Sequence, residues 1–247
     1  MKRLLAVTLM VGLLLCGCRA ASSAPTEPAE PEKVTVYLLE KVRLYDNGHT
    51  EYFYDEHYNI DTYKVVTIEE TLMYIAYFEE KDSNGMPGKY RQVWDSDSDD
   101  YSMLTWRQDG KLLKEVYGTD TEYHYDAEGK LVKKQEYYEG ILDTTVHYEY
   151  DGNVLQQAYC INEDNHMNYE YRIENGRIVE KICYDEEGSA IRTYHLKYDK
   201  NGNLEQKIMH YAGELVSVES YTYRAVEVDA SRAPYLIEQQ KYLLSLI

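Results

Sequence analysis

The stretch Tyr123-His-Tyr-Asp-Ala-Glu-Gly129-Lys-Leu131 constrains this chain more than any other, because close variants of it keep returning. Glycines with similar neighbours stand at Gly110, Gly129, Gly152, Gly176 and Gly202, in steps of 19, 23, 24 and 26 residues. Each block runs out from its glycine through alternating apolar residues, bends at a polar loop such as "YEG", "NEDN" or "DEEG", and returns through tyrosines. Two strands per block is the reading that period and pattern allow. The Asp of each motif can accept hydrogen bonds from backbone N–H groups ahead of it, and the Gly supplies a positive φ, so the motif punctuates hairpins.

The returning segments end at Tyr52/Tyr54, Tyr123/Tyr125, Tyr148/Tyr150, Tyr169/Tyr171, Tyr198 and Tyr221/Tyr223. Tyrosines two apart share one face of a strand. With 28 Tyr against 2 Phe, the chain selects an aromatic that packs its ring and keeps a polar hydroxyl. The expected fold is therefore mainly β: an antiparallel meander of Tyr-rich hairpin repeats, forming an open, curved sheet with a short C-terminal helix.

Tyr125-Asp126-x-x-Gly129-x-Leu131, Tyr198-Asp199-x-x-Gly202-x-Leu204 and Tyr184-Asp185-x-x-Gly188 resemble the YD repeats of Rhs-type proteins. The resemblance covers roughly residues 110–225 and departs from the pattern where Gly152 follows its Asp directly, where Arg172 follows Tyr171 and where Tyr58 replaces the Gly after Asp55. It implies an architecture, β-shells or β-rich surface proteins, and no particular activity.

The first residues, "MKRLLAVTLMVGLLLCGCRA", carry a basic start and an apolar run from Leu4 to Leu15, the length of a secretory h-region and too short to span a bilayer. Leu15-Cys16-Gly17-Cys18 resembles the bacterial lipobox, which implies Cys18 as the lipid-attachment residue and residues 1–17 as a lipoprotein signal peptide. An ordinary signal cut at the small-x-small site ending at Ala21 is the alternative. The Ser-, Pro-, Ala- and Glu-rich residues 18–32 read as a lipid-anchored flexible tether. Residues 33–109 follow as an N-terminal β-hairpin region, with turn signals at Asn47-Gly48 and Asn84-Gly85, then the repeat region 110–228 and a capping helix in 229–247. Thr67-x-x-Glu70 also fits a helix capping box, but the Tyr and Ile content of residues 71–80 favours a strand. In the helix, Ser231 is the expected cap, Pro234 lies in the first turn, and Leu236, Gln240, Leu243 and Ile247 recur at helical spacing. It is expected to pack on the apolar face of the sheet or to cap its last strand.

Removing residues 1–17 moves the formal charge from −18 to −20, which argues against nucleic acid and against adhesion to anionic headgroups. Cys160 and Cys183 align at equivalent points of adjacent blocks, separated by a returning strand, and are expected to be free thiols. Asp95, Asp97, Asp99 and Asp100 cluster hard oxygen ligands, yet the spacing fails the EF-hand pattern. A solvated acidic turn is the expectation, and no metal or other cofactor is assigned. The seven histidines have no ligand spacing, although His124 and His147 lie on successive returning strands. No nucleophile elbow, Walker loop or dinucleotide fingerprint is present, so no catalytic residues are assigned and an enzyme is not expected.

The resulting expectation is an exported, lipid-anchored protein of the cell membrane or outer envelope whose sheet acts as a binding module for a glycan or cell-wall polymer. Tyr148, Tyr150, Tyr169, Tyr171, Tyr221 and Tyr223 are the candidate ligand-binding residues, and the same tyrosines can instead be the packing face of the sheet. The alternative is a structural or assembly partner of another envelope protein, acting through edge strands or the C-terminal helix.

Overall fold

The computed structural model describes residues 31–44, 48–94, 99–164 and 166–245. Its strands open with β1 (Lys33–Leu44), β2 (Gly48–Tyr54), β3 (Ile60–Val66), β4 (Leu72–Glu79), β5 (Lys89–Trp94) and β6 (Asp99–Trp106). They continue through β7 (Leu112–Tyr117), β8 (Thr119–Tyr125), β9 (Leu131–Tyr138), β10 (Ile141–Asp151) and β11 (Val154–Asn162). The series ends with β12 (Met167–Glu174), β13 (Arg177–Tyr184), β14 (Ala190–Tyr198), β15 (Leu204–Tyr211) and β16 (Glu214–Asp229), followed by helix α1 (Ala233–Ser245). Residues 71–80 hold β4, not a helix. Thr67 instead opens a tight turn, in which Glu70 N–H donates to Thr67 O and Thr67 N–H to Thr71 O.

Every strand pairs antiparallel with its sequence neighbour, and β1 pairs with β16 from Lys33↔Asp229 to Leu44↔Glu219. The sheet is a closed sixteen-stranded barrel, which corrects the expected open, curved meander. The physical reason lies beside the repeated turn. In the turn, Asp126 Oδ1 accepts from Lys130 N–H at 2.7 Å and Gly129 sits at φ 79°. The same bond closes the turns at Asp55, Asp185 and Asp199. At Tyr54, Tyr125 and Tyr198, each before such an Asp, and at Tyr150 before Asp151, the strand register slips by one residue. A bulge bends its strand and raises local twist, so a bulge recurring from hairpin to hairpin curls the sheet until its first and last strands meet.

Those bulged tyrosines point into the barrel and donate to carbonyls of earlier strands. The hydroxyls of Tyr54, Tyr125, Tyr150 and Tyr198 reach Leu39 O (2.7 Å), Leu112 O (2.8 Å), Leu131 O (3.1 Å) and Ile178 O (2.7 Å). In the last three, the acceptor belongs to the apolar residue two past a repeat glycine. The Tyr and Leu of the motif are thus two halves of an inter-hairpin latch.

A barrel of this strand number leaves space inside, and α1 fills part of it. The helix emerges from β16 and turns back over the barrel end that carries the β2–β3, β4–β5 and β6–β7 connections. Leu236, Gln239, Gln240, Tyr242 and Leu243 are buried. Tyr242 and Leu243 join Leu39, Val42, Tyr52, Tyr63, Phe78, Tyr90 and Leu104 in the larger core cluster. Leu236 joins Val36, Leu38, Val226 and Val228 in a second. Gln240 accepts from Leu39 N–H (2.7 Å) at the β1 register shift, Gln239 accepts from Ile60 N–H (2.9 Å), and Gln239 donates to Gly85 O (3.1 Å). Tyr235 donates to Gln108 O, and Arg232 to Asn59. The helix therefore plugs one end from inside instead of lying on an open sheet face. Ile247 lies outside the described residues.

Candidate functional site

Opposite the plugged wall, residues from β6 to β10 and from β12 to β16 line a half-open cavity of about 970 Å³. Its wall is built by the alternation of the strands. Tyr123 and Tyr125 from β8, Lys134 and Glu136 from β9, and Tyr148 and Tyr150 from β10 face inward. They are followed by Tyr169 and Tyr171 from β12, Lys181 from β13, Tyr194 from β14, Lys207 and Met209 from β15, and Ser217, Glu219 and Tyr221 from β16. Glu238, Lys241 and Tyr242 of α1 close one side.

Five of the six candidate tyrosines, Tyr148, Tyr150, Tyr169, Tyr171 and Tyr221, meet in this one cavity. Tyr223 packs against the larger core cluster instead, and its buried hydroxyl has no hydrogen-bond partner among the described residues. The tyrosines form an inner wall, where the open sheet would have displayed them as a solvent-facing stripe. Tyr169 and Tyr171 meet edge to face with centroids 5.4 Å apart. Burial pushes the Tyr171 hydroxyl up to about 12 and those of Tyr148, Tyr169 and Tyr221 further, so all stay protonated as donors.

The charged residues of the lumen are the part that sequence reasoning missed. Burial opposes the Glu136 carboxylate, yet Lys134 at 2.7 Å and the Thr144 hydroxyl hold its pKa below the ordinary value. Lys207 lies 2.9 Å from Glu219, whose other oxygen accepts from Tyr221 at 2.5 Å. Lys181 Nζ stands 3.8 Å from the ring centroid of Tyr169, 5.9 Å from Tyr171 and 6.0 Å from Tyr194. A signal for these lysines existed in the strand pairing. Lys134 is the cross-strand partner of Tyr123, and Lys181 that of both Tyr171 and Tyr194. Extending the Tyr face through each hairpin reaches them.

The residues between the lumen positions face outward and are largely polar, with Lys133, Glu149, Glu170, Arg172, Glu180 and Lys197 beside Gln, His and Thr and a few apolar residues such as Ile182 and Ile208. Glu180 pairs with Arg172 and with His195, each at 3.1 Å, and Glu79 with Arg91 at 2.6 Å. His124 and His147 both stand on this outer wall, each paired across the sheet with Lys133. Cys160 and Cys183 are free and flank Tyr169 on the two neighbouring strands, as the repeat alignment requires. Asp95 and Asp97 lie outside the described residues, as does Cys18. Asp99 begins β6, and Asp100 accepts from Trp94 Nε1 at 3.2 Å. No helix among the described residues is long and apolar enough to cross a membrane.

No family model matches the sequence, and no curated protein does. Among solved structures, a porin-like protein from Bacteroides uniformis aligns at 12% identity over 75% of this chain and 98% of its own, with a TM-score of 0.47. A TcdB2–TccC3 complex aligns at 10% identity over 70% of this chain and 16% of its own, with a TM-score of 0.27. The Tc holotoxin pore of Photorhabdus luminescens aligns at 12% over 76% of this chain and 16% of its own, also at 0.27. These similarities are too distant to carry residue roles across, and a functional reading has to come from the lumen itself.

Proposed function

We propose that this chain is a cell-envelope barrel that acts by binding, not catalysis, and holds a short saccharide in its lumen. The observation that carries the reading is the cavity of about 970 Å³ walled by tyrosines and charged side chains. That volume falls at the upper end of the roughly 300–1,000 Å³ typical of small-molecule sites. Ring faces stack on the C–H faces of sugars, while tyrosine hydroxyls, lysines and carboxylates bond to sugar hydroxyls. An inward-facing wall takes a chain end or a short fragment, not a polymer lying along an exposed sheet.

The lipobox resemblance supports attachment at Cys18, with residues 18–32 as the tether that leaves the barrel at a membrane surface on the exported side. The outer wall supports the same placement. A membrane-spanning barrel needs an outward apolar band, whereas the outward face of β8–β15 mixes Lys, Arg, Glu, His and Gln with only scattered apolar residues, which supports a barrel standing beside the bilayer. The assembly-partner alternative drew on free strand edges and an exposed helix. Closure of β1 on β16 uses the first, and burial of α1 uses the second.

Calorimetric titration of the full chain in detergent with short glycans tests the reading. Binding should be weakened in Ser217→Trp, which projects a bulky ring into the lumen from β16 at a position outside both core clusters. A Ser217→Trp variant that binds as the parent does would place the ligand elsewhere and overturn the proposal.

A further inference from the structure

The lumen is charged opposite to the chain that builds it. Lys111, Lys130, Lys134, Lys181, Lys207 and Lys241 line it, against Glu136, Glu219 and Glu238, in a chain of formal charge −18. Each of the three glutamates is matched with one lysine: Lys134–Glu136 at 2.7 Å, Lys207–Glu219 at 2.9 Å and Lys241–Glu238 at 2.7 Å. Lys111 reaches Asp109 at 3.3 Å, and Lys130 donates to Gly152 O at 2.6 Å. Lys181 is different. It makes no ion pair or hydrogen bond among the described residues: its ammonium group stands against the rings of Tyr169, Tyr171 and Tyr194, with Glu136, Cys160 and Cys183 within electrostatic reach but not in contact.

Aromatic faces attract a cation but replace neither its water nor a counter-ion, and an ammonium group held this way is under-compensated. Burial accordingly holds Lys181 below the ordinary lysine value. Lys207 also lies near the Tyr194 ring, 5.8 Å from its centroid, but its charge is matched by Glu219. An anionic oxygen in the cavity would supply the missing partner, and the adjacent rings would take the body of the molecule that carries it.

We propose that the lumen selects an acidic saccharide, its carboxylate or phosphate bonded to Lys181 and its sugar ring against Tyr169, Tyr171 and Tyr194. This inference rests on the lumen-binding reading above and adds the charge of the ligand. The competing source of the same anionic chemistry is free inorganic phosphate.

The test compares trigalacturonate, maltotriose and inorganic phosphate by calorimetry on the full chain and on Lys181→Met, Lys181→Arg and Lys133→Met. The expected result is trigalacturonate binding at least tenfold tighter than maltotriose. It should weaken tenfold or more in Lys181→Met, stay within a few-fold in Lys181→Arg, and be unchanged in Lys133→Met on the outer wall. Circular dichroism and thermal melting establish that each variant is folded. Equal binding of the acidic and neutral trimers, unaffected by Lys181→Met, would overturn this inference and leave the lumen reading standing. Binding of neither trimer would overturn both. Phosphate binding as tightly as trigalacturonate would overturn the assignment to a saccharide.

Discussion

The two consecutive glutamines of α1 give a sharp test of how the helix is held. Gln239 is 1% exposed, and both ends of its amide are used: it accepts from Ile60 N–H at 2.9 Å and donates to Gly85 O at 3.1 Å. Gln239→Leu keeps the size and strands a buried N–H and a carbonyl. A stranded buried group costs about 1–3 kcal/mol, and the N–H dominates because a carbonyl tolerates loss of one partner more easily, so the expected loss is about 2–3 kcal/mol. Gln240 accepts from Leu39 N–H at 2.7 Å, but its own Nε2 is buried without a partner among the described residues. Gln240→Leu therefore strands one donor while removing another, and Tyr54 keeps its bond to Leu39 O. The two effects partly cancel, for a net loss of about 1 kcal/mol or less. Urea unfolding followed by fluorescence reads both, because the Trp106 ring meets Tyr242 of the helix edge to face at 5.8 Å. Gln239→Leu should lower the midpoint clearly more than Gln240→Leu, with the slope unchanged in both. Equal losses, or the reverse order, would refute the account of the helix as a plug fixed by Gln239.

The latch predicts that Tyr198→Phe, which removes a bond to Ile178 O, costs about 1 kcal/mol in urea unfolding. Tyr223→Phe should be neutral or stabilising, because the hydroxyl it deletes is buried and has no partner among the described residues. Glu70 is exposed and held at φ 59°, where a glycine fits without strain, so Glu70→Gly should raise stability by about 1 kcal/mol in the same assay. Burial opposes the Asp55 carboxylate, but bonds from Asn59 and Lys81 outweigh it and hold its pKa below the ordinary value. Its contribution is present above the unfolded-state pKa and lost as pH falls through the lower folded-state value. Asp55→Asn should be less stable than the parent at pH 7, and melting curves should show that gap shrinking on acidification below pH 4.

The hairpin turns were legible because Asp, Gly and their spacing act locally. The bonds they make, such as Lys130 N–H to Asp126, span four residues. Glu70 and Tyr58 adopt the same positive φ with no glycine to announce it: Tyr58 was legible only as a departure from the pattern, and Glu70 read instead as part of a helix capping box. Closure was not legible, since the pairing of Val36 with Val226 joins residues 190 apart in sequence. The bulges that favour closure are also silent, because a one-residue slip before Tyr125 leaves the alternation of residue types almost unchanged. The tyrosine half of the site was found because Tyr-x-Tyr is conspicuous. Its lysine half was missed, because Lys134 and Lys181 join the Tyr face only once the strands are placed in register.

Binding in the lumen requires a barrel closed by β1 on β16, and hydrogen exchange of the β1 amides tests that most directly. In the closed barrel, Lys33–Leu39 pair with β16, while β1 meets β2 only from Lys41 to Leu44. The account predicts that the amides of Lys33–Leu39 facing β16 exchange orders of magnitude more slowly than an unpaired edge. Exchange of the whole Lys33–Leu39 segment within seconds, beside a protected Lys41–Leu44, would mean an open meander with a free first strand and would contradict the lumen.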